Sequence, residues 1–181
     1  MPTRHVVVPL KDFSLAKSRL RNNGHQETEA MVRQLATAVV RACASQPCTI
    51  VTESLSVRAF AEDLGISSLL TTATDLNGAV SDARDALRAT CEQLIVVHGD
   101  LRNPSGLGSW EPGPGVTIVT DHHGTGTNVL ALDCALPFTF FYGPDSAARH
   151  ELEARRLEQT VSIIRTSPWA FDIDELSDLE K

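Results

Sequence analysis

Short apolar runs alternate with longer stretches of helical spacing through the first hundred residues. His5 to Val8 is brief and β-branched, as a strand buried on both faces requires. From Glu27 to Ser45, Met31, Leu35, Val39 and Cys43 form one apolar stripe, with Val32, Ala36 and Val40 beside it and Pro47 beyond its end. That spacing predicts a helix. CTIVTE reads as a second strand, and SVRAFAEDLG as a helix that Ser56 can cap and Gly65 can end. A short strand is expected at Ser67 to Leu70. After Asn77, Val80, Ala83, Leu87 and Cys91 again fall at helical spacing, and EQLIVVHGD supplies the most apolar strand of the chain. The order β-α-β-α-β-α-β predicts a parallel sheet covered by helices on both faces, with ligands collecting at the strands' carboxyl ends.

From Arg102 to Gly115 prolines and glycines are too dense for regular structure, so a mobile loop is expected there. VTIVT then resumes the sheet, HGTGTN forms a glycine-rich turn, and VLALD and FTFFYG are further apolar segments. A helix at Ser146 to Leu157, a strand at Val161 to Ile164 and AFDID before a short terminal helix complete the chain. No repeat and no second domain is visible, so residues 1–181 are read as one α/β domain.

Composition narrows the function classes. The chain has 181 residues, 42% of them hydrophobic and 22% charged, which suits one ordinary globular core. A formal net charge of -7 argues against nucleic acid or an anionic membrane as partner, because both reward a basic face. The four cysteines, Cys43, Cys48, Cys91 and Cys134, form no C-x-x-C pair and no metal-ligand rhythm, so they read as reduced core residues. With no membrane-length apolar run and no signal-peptide core, a cytoplasmic location is the default.

Charge is uneven along the chain, and this directs attention to the candidate chemistry. Arg4, Lys11, Lys17, Arg19 and Arg21 face Asp12 alone in the first 21 residues, whereas Asp172, Asp174, Glu175, Asp178 and Glu180 crowd the C-terminus. Lys11, Lys17 and Arg19 follow the first strand, where a lysine can act as a point charge on phosphate and an arginine can grip two oxygens. Asp172 and Asp174 share one face of an extended segment, which suits Mg²⁺, although for this pair alone Asp174 as the cap of the last helix over Glu175 to Leu179, with Asp172 solvated, is the favoured reading. Asp100 stands at a strand's carboxyl end behind Gly99, where close backbone approach is allowed. Gly124-Thr125-Gly126-Thr127 offers backbone N–H groups and hydroxyls to an anion, as does the start of a helix at Asp145 or Ser146 after the Gly143-Pro144 turn. His122 and His123 read as solvated, His98 as a brace at the strand end, His150 as a surface helix residue, and Trp110 and Trp169 as packing anchors.

In order along the chain, VPLKDFSLAKSRL, LNGAV, HGDL, HGTGTN, FYGPDSAARH and FDID...DL resemble the phospholactate/phosphoenolpyruvate guanylyltransferases of coenzyme F-420 biosynthesis. The resemblance spans nearly the whole chain. It implies a three-layer α/β/α fold with a mostly parallel mixed sheet, the GT-A-like nucleotide-diphospho-sugar transferase fold. It implies Mg²⁺-dependent transfer of GMP from GTP to a three-carbon phospho-acid, with Asp100, Asp172 and Asp174 as metal ligands and Lys17 on phosphate. It further implies Leu76 and Asn77 near the nucleotide, beside the cations Lys11 and Arg19, and Thr127, Gly143 and Ser146 around the acceptor's carboxylate. Arg102 stands where the family usually has proline, and Thr120 and His122 where proline and arginine are expected. A related transferase with another nucleotide or acceptor, and a non-catalytic nucleotide-binding relative, stay open at this point, as does a homodimer.

Overall fold

The two-residue period of the strands builds the layers. In the computed structural model, which describes residues 3–15 and 25–172, β1 (Arg4–Pro9) turns Val6 and Val8 to one face and Val7 to the other. On β4 (Gln93–Val97), Ile95 and Val97 join the first face, and Leu94 and Val96 the second. Helices α1 (His25–Ala42) and α2 (Leu55–Asp63) cover the first face through Val39, Val40, Val57 and Phe60. Helices α3 (Leu76–Leu87) and α4 (Ser146–Arg156) cover the second through Val80, Ala83, Ala147 and Ala154. A one-residue slip would exchange these two sets, and with about 1.5–3 kcal/mol tied to each large apolar side chain, burial fixes the register.

The remaining strands are β2 (Cys48–Thr52), β3 (Ser67–Leu70), β5 (Val116–Thr120), β6 (Thr127–Asp133) and β7 (Val161–Ile164). They complete a seven-stranded sheet of order β3-β2-β1-β4-β6-β5-β7. From β3 through β4 neighbouring strands are parallel; β6 runs antiparallel to both β4 and β5, and β7 returns parallel to β5. The chain therefore moves outward from β1 to β3 and then crosses back to place β4 on the other side of β1. Among the described residues, no helix is long and apolar enough to cross a membrane.

Three local expectations change. Ser54, not Ser56, caps α2 by accepting the Val57 N–H. The helix begins at Leu55, two residues before its apolar stripe starts at Val57, because Leu55 is exposed and gives no periodic signal. The Gly65 stop holds: Gly65 N–H donates to Glu62 O and Ile66 N–H to Ala61 O, closing the last turn in a Schellman arrangement.

The segment expected to be a mobile loop is pinned. A short 3₁₀ turn, Leu107–Ser109, buries Leu107, and Ser45 Oγ and Gln46 Nε2 both donate to Gly108 O at 2.8 and 2.7 Å. Trp110 meets Trp169 edge-on at 5.1 Å, and Trp169 Nε1 donates to Ser105 O. Breaker residues ruled out regular structure but not tertiary anchoring. The third change concerns His150, which is fully buried inside α4 rather than on its surface.

Gly115 marks the end of the pinned segment with φ at +80°, and a Cβ there would lie 2.2 Å from Thr160 O. Gly115→Ala is expected to cost roughly 2–4 kcal/mol from the left-handed backbone and the clash together. A lowered urea midpoint with unchanged slope would register it.

Candidate active site

Because β2 and β3 lie on one side of β1 and β4 on the other, the carboxyl ends of β1 and β4 flank a crevice. The cleft there is about 240 Å³ and is lined by Gly99 and Asp100 after β4, Lys11 after β1, Glu53 after β2, and Asp75 and Leu76 at the start of α3. The segment after β1 is held by Asp12, whose carboxylate accepts from the Ser14 N–H at 2.9 Å and from the hydroxyls of Ser14 and Ser54 at 2.5 Å each and Ser56 at 3.1 Å. Those donors, Ser14 first, hold its carboxyl down at about 2. Lys11 is thereby placed at the rim, exposed to an incoming anion.

Asp100 meets the C-terminal segment through its neighbour. Leu101, fully buried, forms an antiparallel bridge with Asp172, and Arg102 N–H donates to Phe171 O at 2.8 Å. The backbone of Asp172, distant in sequence, is so brought alongside the chain that leaves Asp100. Lys17, Arg19 and Asp174 lie outside the described residues. Among the described residues no group of three or more His, Cys, Asp or Glu could hold a metal ion. The donors at hand are thus two hard carboxylates, which fits Mg²⁺: that ion commonly takes one or two carboxylates and completes its octahedron with water and substrate phosphates.

The antiparallel β6 starts at this same pole. Thr127 opens it, and the adjacent Asn128 receives the His98 N–H at its carbonyl and donates from Nδ2 to Trp169 O at 3.0 Å. Gly143 and Ser146 come to Thr127 across the turn before α4: Ser146 N–H donates to Gly143 O, and Ser146 Oγ lies 3.3 Å from Thr127 Oγ1. His150 closes the group, with Nδ1 at 3.0 Å from Thr127 Oγ1 and Nε2 accepting the Phe141 N–H at 2.9 Å. Since Nε2 must accept, the proton of the neutral ring sits on Nδ1 and is given to Thr127. Burial, with His98 and Arg149 adding to it, lowers the His150 pKa to about 4. Leu76 lines the cleft, whereas the Asn77 amide clasps the backbone of Tyr142, accepting its N–H at 2.6 Å and donating to its carbonyl at 3.3 Å. The first turn of α3 thus fixes the turn that carries Gly143.

The remaining candidates have plainer roles. His122 stacks on Phe171 and touches His123 in an exposed loop. His98 packs against Tyr142 at 5.4 Å beneath the cleft, consistent with a brace. Burial pushes the thiols of Cys43, Cys48 and Cys91 up to about 12 and raises that of Cys134, so all are inert core groups.

A family model described as "Guanylyl transferase CofC like" matches residues 4–181. The chain belongs to this family. A phosphoenolpyruvate guanylyltransferase of Chloroflexus aurantiacus is 33% identical over 94% of this chain and 89% of its own length. One from Roseiflexus castenholzii is 31% identical over 97% and 85%. A structure from Desulfovibrio desulfuricans G20, named among the nucleotide-diphospho-sugar transferases, superposes with a TM-score of 0.78 at 14% identity, covering 99% of this chain and 85% of that one. The three-layer, mostly parallel fold expected from the sequence is therefore the fold of this CofC-like guanylyl transferase.

Sequence reasoning missed His150 and the clasp by Asn77. The only signal for His150 was its position four residues after Ser146, which puts both on one face of α4. In the CofC-like chain this buried imidazole has a measurable signature. Its folded pKa lies below the ordinary 6.5, so as pH falls from about 6.5 to about 4 the unfolded chain takes up a proton that the folded chain refuses, and stability declines. His5, also lowered by burial, acts in the same direction. Asp12 and Glu153, both held at about 2, lose their contribution as pH falls from their ordinary values of 3.8 and 4.5 towards 2, so Glu153 adds to the decline at the acid end of this range. His150→Gln is expected to be less stable at pH 7 and to show a shallower loss between pH 6.5 and 4, read from urea midpoints across that range.

Proposed function

We propose that this protein joins the GMP part of GTP to the phosphate of phosphoenolpyruvate and releases pyrophosphate, using Mg²⁺. The single observation that carries the reading is the bridge between Leu101 and Asp172, which draws the chain at Asp172 to the residue that follows Asp100, itself in the lining of the same cleft as Lys11. Homologues about 30% identical over nearly the whole chain, named for this reaction, support the choice of nucleotide and acceptor.

The chemistry asks little covalent help from the protein. An acceptor phosphate has a second pKa of about 6 and is nucleophilic at neutral pH, so no general base is needed. Its oxygen attacks the α-phosphorus of GTP in line with the departing bridging oxygen, and pyrophosphate leaves with the bond's electrons. Mg²⁺ held between Asp100, Asp172 and Asp174 would supply charge neutralisation on the triphosphate. Lys11 and Lys17 would meet phosphate charge as point contacts, and Arg19, later in the same stretch of sequence, would grip two phosphate oxygens. Thr127, Gly143 and Ser146 would hold the acceptor's carboxylate, oriented by the Nδ1–H of His150 and by the Asn77 clasp. Orientation of the two substrates is then the main source of rate.

The test is pyrophosphate release from GTP with Mg²⁺ and each of phosphoenolpyruvate, 2-phospho-L-lactate and 3-phosphoglycerate, against a control without acceptor. Release is expected with phosphoenolpyruvate, abolished by chelation and lowered on the order of 100-fold or more in Asp100→Asn. Release with another acceptor alone would reassign the substrate, and tight GTP binding with no release for any acceptor would favour a non-catalytic relative.

A further inference from the structure

The cleft has a second end that the transfer chemistry leaves unexplained. It follows the strand ends across the sheet, from Asp100 after β4, past Lys11 after β1, to Glu53 after β2 and Asp75 before α3. From β4 to β2 is two strand spacings, about 10 Å, the reach of a nucleoside extending from a phosphate held at Asp100. At that far end the lining is apolar, with Val51, Phe13 and Ala79. An apolar slot with a carboxylate at its rim is the environment of a base whose edge donates hydrogen bonds.

We propose that Glu53 selects guanine by accepting hydrogen bonds from N1–H and the exocyclic N2 amino group with its two carboxylate oxygens. This rests on the guanylyl-transfer reading and adds to it the residue that chooses the base. Of the two carboxylates at this end, Asp75 is engaged in capping α3, with Oδ1 accepting the Gly78 N–H at 2.8 Å. Glu53 is exposed at the rim, and its recorded bond, from the Asp12 N–H, is long at 3.4 Å. Its side chain therefore re-aims at small cost. The backbone that carries it is firm, because β2 is buried along its length and the next residue, Ser54, caps α2 and binds Asp12 at once. A carboxylate matches guanine's paired donors in the manner of a bidentate contact. Adenine presents an acceptor nitrogen at the equivalent position, hypoxanthine keeps one donor of the pair, and xanthine replaces the amino group with an oxygen. A site built to hydrogen-bond a donor rejects the analogue lacking it more strongly than an apolar slot does.

The experiment is calorimetric binding of GTP, ITP, XTP and ATP with Mg²⁺ to the wild-type protein and to Glu53→Gln, with pyrophosphate release measured in parallel. The wild type is expected to bind GTP about tenfold or more tighter than ITP or XTP. In Glu53→Gln, GTP should weaken by about tenfold while XTP improves, because the new amide N–H can donate to the oxygen at C2. That gain for XTP cannot arise from misfolding. Unchanged GTP:ITP:XTP ratios in the variant would overturn the proposal, as would a wild type that binds the four nucleotides alike. If base selection by Glu53 holds while no acceptor yields pyrophosphate, the transfer reading fails on its own.

Discussion

The antiparallel ladder between β4 and β6 is the constraint on which the site depends. A fully parallel sheet would send the start of every strand to the pole opposite the ligand crevice. Because β6 runs against β4, with Val97 opposite Val129, Thr127 begins beside the residues that lead into Asp100. The same reversal puts the 121–126 turn next to the amino end of α4, where Ala147 N–H binds Thr125 O. Lys11, Asp100 and Thr127, which come from separate parts of the sequence, thus share one pole of the sheet.

That pole is organised by contrast. Around Thr127 it is tied by hydrogen bonds among buried and half-buried groups: His150 to Thr127 and Phe141, and Asn77 to Tyr142. Each such bond contributes only about 1 kcal/mol net, but leaving a buried partner unsatisfied costs about 1–3, so the network specifies one geometry more than it adds stability. Around Asp100 it instead gathers charge. The Leu101–Asp172 bridge draws a second acidic residue to that end of β4, and Lys11 lines the same cleft as Asp100, in a chain whose net charge is -7. Like charges brought together favour a bound cation, and a metal with its triphosphate answers both signs at once.

Much of this was legible in the sequence because it follows local periods. The β-α alternation, the Gly65 stop and the strand before Asp100 all declare themselves within a dozen residues. What stayed hidden depends on pairing at long range. FTFFYG reads as apolar, yet it is an extended coil whose Phe138, Phe140 and Tyr142 fill the second face without joining the sheet. His150 looks like any polar residue on an amphipathic helix until Thr127 and Phe141 are placed against it. The aspartates were recognisable as a set by resemblance, while the approach of the chain at Asp172 to the end of β4 is a matter of the Leu101 bridge, which no spacing encodes.

The claim that Asp100 and Asp172 act together on one metal is tested most directly by Mn²⁺ affinity in the presence of GTP, followed by electron paramagnetic resonance. Wild type, Asp100→Asn, Asp172→Asn and the double variant form the set. Each single change is expected to weaken Mn²⁺ about tenfold or more, and the double change to weaken it by less than the product of the two, as coupled ligands do. Wild-type Mn²⁺ affinity in Asp172→Asn would contradict the account, because the bridge would then bring together two carboxylates that share no ion.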